Sequence, residues 1–426
     1  MAKLIRRRWT TTLDAGLPRR DRQPCSYDAY IPDVLRDRAF SLRGDTAADV
    51  ADAEAALAKL NREVETLADT EALARLLLRA ESVASSRIEG LEVGGRRLIR
   101  ADAARALGDD PRDVTAEEVL GNIDAMAWGV QAIEPGSSIT VAQLLEMHRR
   151  LLSGTRATYA GQLRTTQNWI GGSSYNPCSA AFVPPPPEQV PALIDDLCEF
   201  ANSDLLPAIA QAAIAHAQFE TIHPFADSNG RVGRALIHLV LRRRDIAPRV
   251  FAPVSLILAT RARDYVDGLT ATRYVGDASS PEAEAGVNRW VSTFAAACLR
   301  AAQDATAFKG RVHEIIAAWQ HRLGSVRANS AVAGLIRLLP GSPIVTVQGS
   351  ARLLGRSFQA ANEAIDRLVD AGILQQITVG RRNRAFEAPD IVDAFTDLER
   401  QMASAGGDTL VEPPARITPR RRSVRP

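Results

Sequence analysis

The densest group of reactive side chains lies between His223 and Arg234, in the sequence HPFADSNGRVGR. It combines an imidazole, the carboxylate of Asp227, a short polar turn, and the guanidinium groups of Arg231 and Arg234. An imidazole can accept a proton, and carboxylate oxygens are the ligands that Mg²⁺ uses beside substrate phosphates. Arginines three positions apart share one face of a helix and can hold an anion between them. The segment therefore predicts proton transfer on a substrate that carries phosphate.

Two helices must position these side chains. Residues 208–222 are rich in Ala, and Pro224 disfavours helical geometry at His223, so the first helix should end there. The turn-forming residues at 227–230 follow, and helical periodicity resumes over residues 231–244. A loop that leads into a helix N-terminus directs backbone N–H groups at one point, where the helix dipole adds positive charge. The pattern predicts a helix, an anion-binding loop and a second helix.

The segment resembles the signature of the Fic (filamentation-induced) family, H-P-F-x-D/E-G-N-G-R-x-x-R. It departs from this signature only at Ser228, where the family has glycine. The resemblance implies transfer of AMP from ATP to a Tyr, Thr or Ser hydroxyl of a target protein, with His223 as general base and Asp227 on Mg²⁺. It also implies a set of residues that bind the phosphates of ATP: Ser228, Asn229, Gly230, Arg231 and Arg234. A solvated turn between two helices is the alternative interpretation.

A second motif lies at the end of a helix predicted over Thr70–Glu89. Glu89 in the last turn faces the negative end of the helix dipole, which is unfavourable by about 0.3–1 kcal/mol, so it needs a cationic partner. Gly90 is expected to cap this end. Ser85, Glu89 and Gly90 resemble the inhibitory motif S/T-x-x-x-E-G/N of the family, which implies that Glu89 pairs with Arg234 and restrains the enzyme. A solvated helix end is the alternative.

Residues 161–189 change in character, with many Gly and Pro residues and a short apolar run at 180–183. This composition predicts a loop or a β-hairpin. The resemblance implies a flap on which the backbone of the target docks by strand addition. Residues 261–273 resemble the family segment that carries a tyrosine near the nucleotide, which is Tyr265 in this sequence.

Two further histidines lie on predicted helices. His148 falls on the apolar face of a helix over residues 139–152, so a position in the core or at its rim is expected. His216 precedes Glu220 by four residues and His223 by seven, a spacing at which metal ligands can share a helix face. Helix packing is the favoured interpretation of His216.

The predicted fold class is mainly α: a Fic helical fold with a small β-hairpin flap, plus a C-terminal winged-helix domain. Further helices are expected over residues 45–67, 115–133 and 287–323, with an extended segment at 26–35. The predicted domains are an N-terminal segment with the inhibitory helix region (1–100), a Fic catalytic domain (101–305), a linker helix (306–330), a winged helix-turn-helix-like module (331–400) and a flexible basic tail (401–426).

The C-terminal module is predicted from helices at 330–338, 348–354 and 357–371, followed by two strands within 373–386. Its recognition helix would carry three acids, Glu363, Asp366 and Asp370, against Arg367. This balance is unfavourable for a helix that lies among phosphates. DNA is therefore a possible but not a favoured partner, and a protein-contact or structural role is favoured.

The composition is typical of a globular protein with two or three domains. Lys+Arg 52 against Asp+Glu 50 gives a net charge of +2, which provides no argument for nucleic acid or membrane binding. The four cysteines are far apart and show no CxxC pair, so neither a zinc site nor a disulfide framework is predicted. No apolar run of about 18 residues occurs and no export signal is evident, so we predict a cytoplasmic protein without a membrane span. Lysine is nearly absent whereas arginine and alanine are abundant, which is typical of a GC-rich bacterial genome.

Two alternatives to AMP transfer stay open. The Fic fold could only sense a nucleotide within a transcriptional regulator, or the same base and metal could transfer another phosphate-containing group. The sequence does not name the target, and it leaves removal of AMP and a homo-oligomer open.

Overall fold

The computed structural model describes residues 1–10, 21–65, 70–106, 113–154, 157–379 and 383–402. The tip of the predicted wing, residues 380–382, lies outside these ranges. Of the predicted basic tail, residues 403–426 also lie outside them. The mainly helical fold class is confirmed, with small sheets. No described helix is long and apolar enough to cross a membrane.

The helices are α1 (Gly44–Glu65), α2 (Thr70–Ile88), α3 (Gly95–Ala106), α4 (Val114–Ala132), α5 (Val141–Leu151), α6 (Val190–Ala201), α7 (Ala208–Ile222), α8 (Asn229–Arg243), α9 (Val254–Thr260), α10 (Ala262–Ala271), α11 (Pro281–Leu323), α12 (Ala331–Leu338), α13 (Val347–Leu354), α14 (Phe358–Asp370) and α15 (Pro389–Met402). The strands are β1 (Lys3–Trp9), β2 (Cys25–Ile31), β3 (Ile344–Val345), β4 (Gln375–Val379) and β5 (Asn383–Glu387).

The chain forms two compact units, each assembled from separate stretches. The first unit comprises Met1–Asn61, Gly121–Pro248 and Tyr265–Leu299, and the second comprises Arg62–Leu120, Arg249–Asp264 and Arg300–Pro426. The sequence predicts contiguous domains instead, and those boundaries remain predictions.

Helix α7 forms the centre of the first unit. All of its 15 residues are buried, and its many alanines let neighbouring helices approach on every side. Helix α8 packs against it closely at Gly233, where an added Cβ would lie 2.5 Å from Glu220 Oε1 and 2.9 Å from the Phe219 ring. This close packing holds together the two helix ends that flank residues 223–228.

The first unit also contains an antiparallel hairpin of β1 and β2, with Lys3 opposite Ile31 and Trp9 opposite Cys25. Only the second strand was anticipated, because the Arg-rich sequence of β1 lacks a clear apolar face. The expectation of no disulfide is wrong: Cys25 is bonded to Cys178, with 5.8 Å between the Cα atoms. The two cysteines are 153 residues apart, and only tertiary packing brings β2 beside the short 3₁₀ turn Pro177–Ser179.

The second unit packs α2 against α9 and α15, and α3 against the small sheet. On α2, the buried Glu81 accepts hydrogen bonds from the backbone N–H and hydroxyl of Ser255 in α9. The strands form an antiparallel sheet in the order β3-β5-β4. Together with α12, α13 and α14 they follow the element order expected for a winged helix, and that assignment remains a prediction.

Candidate active site

The loop between α7 and α8 contains two residues with left-handed backbone, His223 (φ 49°) and Ser228 (φ 62°). At His223 the backbone N–H still bonds to Phe219 O at 2.8 Å, and the chain then leaves the helix as Pro224 requires. Ser228 directly precedes α8, but its side chain does not cap that helix. A left-handed serine is unfavourable by about 1–2 kcal/mol relative to glycine, so the one departure from the family motif lies at a strained position.

The Ser228 hydroxyl instead accepts a hydrogen bond from Arg231 Nη2 at 2.6 Å. Arg231 and Arg234 are buried on the first turns of α8, with 4% and 2% of their surfaces exposed. Ser228 therefore orients one of the two arginines predicted to bind phosphate. Gly230, which has no side chain to screen its amide, lies in the same first turn of α8.

Asn229 closes the loop from its far end. Its side-chain Oδ1 accepts the N–H of Phe225 at 2.8 Å, and its Nδ2 donates to Phe225 O at 2.9 Å. The Phe225 ring stacks on His148, with 3.9 Å between the centroids. His148 is fully buried, as expected, and its Nδ1 accepts the N–H of Gly161 at 3.0 Å. His148 thus supports both the loop and the start of the flap.

The environment of His223 keeps its imidazole neutral. The pKa of His223 is lowered to about 4, mainly by burial, with a smaller lowering from the charges of Arg164 and Arg273 and an opposing effect of the hydrogen bond to the Glu220 backbone. The side chain still has 20% of its surface exposed, and Nδ1 lies 3.8 Å from Glu220 Oε2. At neutral pH the ring is in the form that accepts a proton.

Arg164, which was not predicted as a site residue, joins the flap to the end of α7. Its guanidinium donates to His223 O at 2.8 Å and to Ile222 O at 3.2 Å, both at the negative end of the α7 dipole. It also donates to Thr166 O at 3.1 Å and Pro185 O at 2.5 Å, one at each end of the flap. Burial lowers its pKa to about 10. One sequence signal was available, because Arg164 is the only cation within residues 161–189.

Two other residues that were not anticipated strengthen this attachment. Asn168 Nδ2 donates to His223 O at 3.2 Å and to Phe225 O at 3.1 Å. The guanidinium of Arg273 lies 3.6 Å from the ring centroid of Phe182 and contributes to the low pKa of His223. The flap is therefore bonded to the backbone that carries the predicted base.

The predicted hairpin of the flap is reduced to one antiparallel bridge between Ile170 and Phe182. Ile170 N–H bonds to Phe182 O at 2.8 Å, and Ala181 N–H bonds to Ile170 O at 2.9 Å. Gly172 has φ 76°, and an added Cβ there would lie 2.4 Å from Ser179 O, so the turn requires glycine. Docking of a target on this flap remains a prediction.

Asp227 is exposed at the loop, where its Oδ1 accepts the Ser228 N–H at 2.6 Å. Its Oδ2 makes no hydrogen bond within the described residues. Those residues contain no cluster of three or more His, Cys, Asp or Glu side chains that could hold a metal without a substrate. A single exposed carboxylate fits Mg²⁺ of the kind that is held jointly with substrate phosphates.

Tyr265 is 5% exposed, and its hydroxyl lies 2.8 Å from His216 Nε2. His216 is fully buried and packs against Tyr265 and Trp290, as expected for a histidine in helix packing. Burial lowers its pKa to about 3. The position of Tyr265 near a nucleotide remains a prediction.

The residues of the second motif lie at the end of α2. Ser85 is fully buried, whereas Glu89 is exposed. Gly90 has φ 85°, and Leu91 N–H bonds to Ser86 O at 3.1 Å, which is the helix-capping geometry expected there. Glu89 belongs to the second unit and Arg234 to the first, and their pairing remains a prediction from charge.

Comparisons with known proteins agree with the motif. The Fic/DOC family model matches residues 138–241, and the Fic/DOC family N-terminal model matches residues 47–131. Protein adenylyltransferase fic-1 of Caenorhabditis elegans is 36% identical over 130 residues, which cover 30% of this chain and 23% of that protein. Protein adenylyltransferase Fic of Drosophila willistoni is 32% identical over 134 residues, 31% of this chain and 25% of that protein. The chain thus spans about a quarter of the length of these relatives.

A solved structure of a Fic family protein from Desulfovibrio desulfuricans G20 shares the fold with a TM-score of 0.50 at 19% identity. The match covers 82% of this chain and 97% of that one.

Proposed function

Because the chain belongs to the Fic family, we propose that it is a protein adenylyltransferase, which moves AMP from ATP to a hydroxyl side chain of a target protein. The observation that carries this proposal is the neutral, partly exposed imidazole of His223 beside the loop that leads into α8. A proton acceptor and an anion site then lie on one twelve-residue segment.

In the proposed reaction, His223 takes the proton from the target hydroxyl. Its Nδ1 faces Glu220, so Nε2 is the nitrogen that accepts this proton. The hydroxyl oxygen forms a bond to the α-phosphorus of ATP, the bond from that phosphorus to the bridging oxygen breaks, and pyrophosphate leaves. Burial keeps His223 unprotonated before the reaction, and the charges of Arg164 and Arg273 add to this effect.

The phosphates are proposed to lie at the N-terminus of α8, where backbone N–H groups and the helix dipole favour anions. Arg231, oriented by Ser228, and Arg234 add positive charge there. Asp227 would hold Mg²⁺, which when bound neutralises charge on the departing phosphates. Asn229 supports the loop through Phe225, and its contribution to phosphate binding is proposed to be through its backbone amide.

The target is proposed to dock along the flap near Ile170, which is 36% exposed, by adding a strand to the bridge. Arg164 and Asn168 would keep that strand in register with His223. Glu89 is proposed to restrain the enzyme by pairing with Arg234, and removal of AMP from a modified target is a further reaction that this carboxylate could assist.

The test is mass spectrometry of the purified protein after incubation with ATP and Mg²⁺. We expect AMP on hydroxyl side chains of the protein itself, more in Glu89→Gly than in the wild type, and none in His223→Ala. Parallel incubations with CTP, GTP and UTP examine transfer of other phosphate-containing groups. If neither the wild type nor Glu89→Gly acquires AMP, a nucleotide-sensing role replaces the enzymatic one.

A further inference from the structure

A cavity of about 220 Å³ lies within the second unit, lined by α2, α3 and the segment from Ser342 through α13. It shares no residue with the loop between α7 and α8 or with the motif at residues 85–90, and one of its walls is α13 of the predicted winged-helix module. Its volume is below the about 300–1,000 Å³ of sites for drug-sized ligands, so a complementary occupant would be small.

A buried cation lines this cavity. Arg79 on α2 is 8% exposed, and its Nη2 donates to Asp102 Oδ2 on α3 at 2.6 Å. Its Nε and Nη1 are buried and have no hydrogen-bond partner among the described residues. Unsatisfied donors of a buried charged group are unfavourable, and Asp102 alone leaves two of the donor atoms of this guanidinium without a hydrogen bond.

A second cation, Arg352 on α13, also lines the cavity and is exposed. It makes no ion pair within the described residues. With Arg79 and Asp102, the ionisable side chains that line the cavity have a net charge of +1. This balance matches a ligand with one negative charge, whereas a phosphate dianion would leave the site negative.

The N-terminus of α13 adds hydrogen-bond donors. Thr346 caps this helix by accepting the Gly349 N–H at 3.0 Å, and the amides of Val347 and Gln348 at the same end have no acceptor within the helix. The positive end of the helix dipole favours an anion there.

The remaining wall is apolar and includes Ile99, Ala103 and Leu353. Leu353 is 55% exposed on helix α13, which lines the cavity, so an apolar ligand group could cover it. A carboxylate held by Arg79, Arg352 and the α13 amides would leave a short aliphatic chain in contact with this wall.

We propose that this cavity binds a small organic monoanion with a carboxylate head and a short aliphatic body. The ligand would bridge α2, α3 and α13 within the second unit. Arg79 lies six residues before Ser85 on the helix that ends at the second motif, so the ligand would act on that helix. This regulatory consequence rests on the proposed function, whereas binding does not.

The test is calorimetric titration of the full chain with hexanoate, with hexanamide as the uncharged control and inorganic phosphate as the competing anion. We expect saturable binding of hexanoate and binding of hexanamide at least about 10-fold weaker, because the amide lacks the charge. Hexanoate at about 100 times its Kd should raise the Tm by about 3 °C or more. Equal binding of hexanoate and hexanamide, or tighter binding of phosphate, would overturn the proposal.

Two variants examine the location. Arg352→Gln should weaken hexanoate about 10-fold, and Ala103→Leu, which fills the cavity from α3, should abolish binding. Arg337→Gln removes the same charge from the exposed surface of α12, outside the cavity, and should leave the Kd unchanged. Binding to Ala103→Leu equal to that of the wild type, or equal losses in Arg352→Gln and Arg337→Gln, would contradict the site. Because Arg352 is exposed, its variant tests the site without disturbing the buried pair of Arg79 and Asp102.

Discussion

At the scale of single residues, the environment of His223 decides which protonation state reaches the substrate. Arg164 donates to the backbone carbonyl of His223, and its charge lowers the pKa of the imidazole. Burial is the main cause of the low pKa of His223, and the guanidinium of Arg164 adds to it while it holds the backbone of the predicted base. Arg273 acts in the same direction from beside Phe182.

The first prediction concerns His223→Ala. We expect AMP transfer to fall by about 10²–10⁴-fold, the usual contribution of a general base, with ATP affinity almost unchanged. The reason is that, in the proposed reaction, the imidazole moves a proton, whereas the loop amides and arginines hold the phosphates. Labelled-AMP incorporation and nucleotide titration measure the two quantities. His321→Ala, an exposed histidine on α11, is the control, and undiminished transfer by His223→Ala would refute the assigned base.

The second prediction concerns Ser228, whose left-handed backbone is strained and whose hydroxyl contacts Arg231. Ser228→Gly removes both the strain and the contact, whereas Ser228→Ala removes only the contact. We expect glycine to raise stability by about 1 kcal/mol and to increase AMP transfer, and alanine to reduce transfer. Urea unfolding measures the stability of both variants, and labelled-AMP incorporation measures their transfer activity. If glycine and alanine weaken ATP binding equally, the hydroxyl matters more than the strain.

At the scale of elements, each of the two motifs places a charge at the helix end where the helix dipole disfavours it. Helix α8 begins with two arginines, which its dipole disfavours, and α2 ends with a glutamate, which its dipole also disfavours. Such ends are stable when an opposite charge is present, and the proposed restraint uses Glu89 to supply that charge to Arg234. ATP would have to displace it.

The third prediction follows from this competition. Glu89→Gly should increase self-modification with AMP by up to about 100-fold, because a misalignment of about 1 Å at the α-phosphate has an effect of that size. Arg234→Ala should lower the activity even in the Glu89→Gly background. Labelled-AMP incorporation is the measurement, with Glu92→Gly as the control at a nearby exposed glutamate. Equal activity of the wild type and Glu89→Gly would identify Glu89 as a solvated helix end.

At the scale of the whole molecule, buried histidines make the stability depend on pH. Burial lowers the pKa of His148 to about 4, of His216 to about 3 and of His223 to about 4. In the unfolded chain each titrates near about 6.5, so below that pH the unfolded state binds protons that the folded state does not. Glu399 has the opposite effect, because burial raises its pKa to about 7 and the folded state binds its proton first.

The fourth prediction is a net loss of stability as the pH falls from about 6.5 to 5, since three histidines outweigh one glutamate. Glu399→Gln removes the opposing group and should make this fall steeper. Urea midpoints measured across that range provide the test. A midpoint that stays constant, or that rises toward acid, would show that these histidines do not remain neutral in the folded protein.

In the C-terminal module, contacts with the end of α11 reduce the positive charge that helix α14 can present at its surface. Arg367, the only cation of α14, donates to the backbone carbonyls of Leu323 and Ser325, at the end of α11 and just beyond it. Glu363 and Asp366 bond to neighbours on the same helix. The helix therefore offers little positive charge to a phosphate backbone, which supports a protein-contact or structural role over DNA binding.

The sequence by itself determined the loop between α7 and α8 and the cap of α2, because backbone conformation at a turn depends mainly on the nearest residues. Pro224 ended a helix at His223, and Gly90 adopted the positive φ expected of a cap. The twelve-residue motif was recognisable because its residue types and spacing are contiguous in the sequence.

Only the tertiary structure decided which distant residues complete these local features. Arg164 meets the carbonyl of His223 across 59 positions, and Cys25 reaches Cys178 across 153. Arg79 and Asp102 line their cavity together with residues of α13, which follow more than two hundred positions later. Such contacts arise from how helices and loops pack in three dimensions, and no local propensity of the chain encodes them.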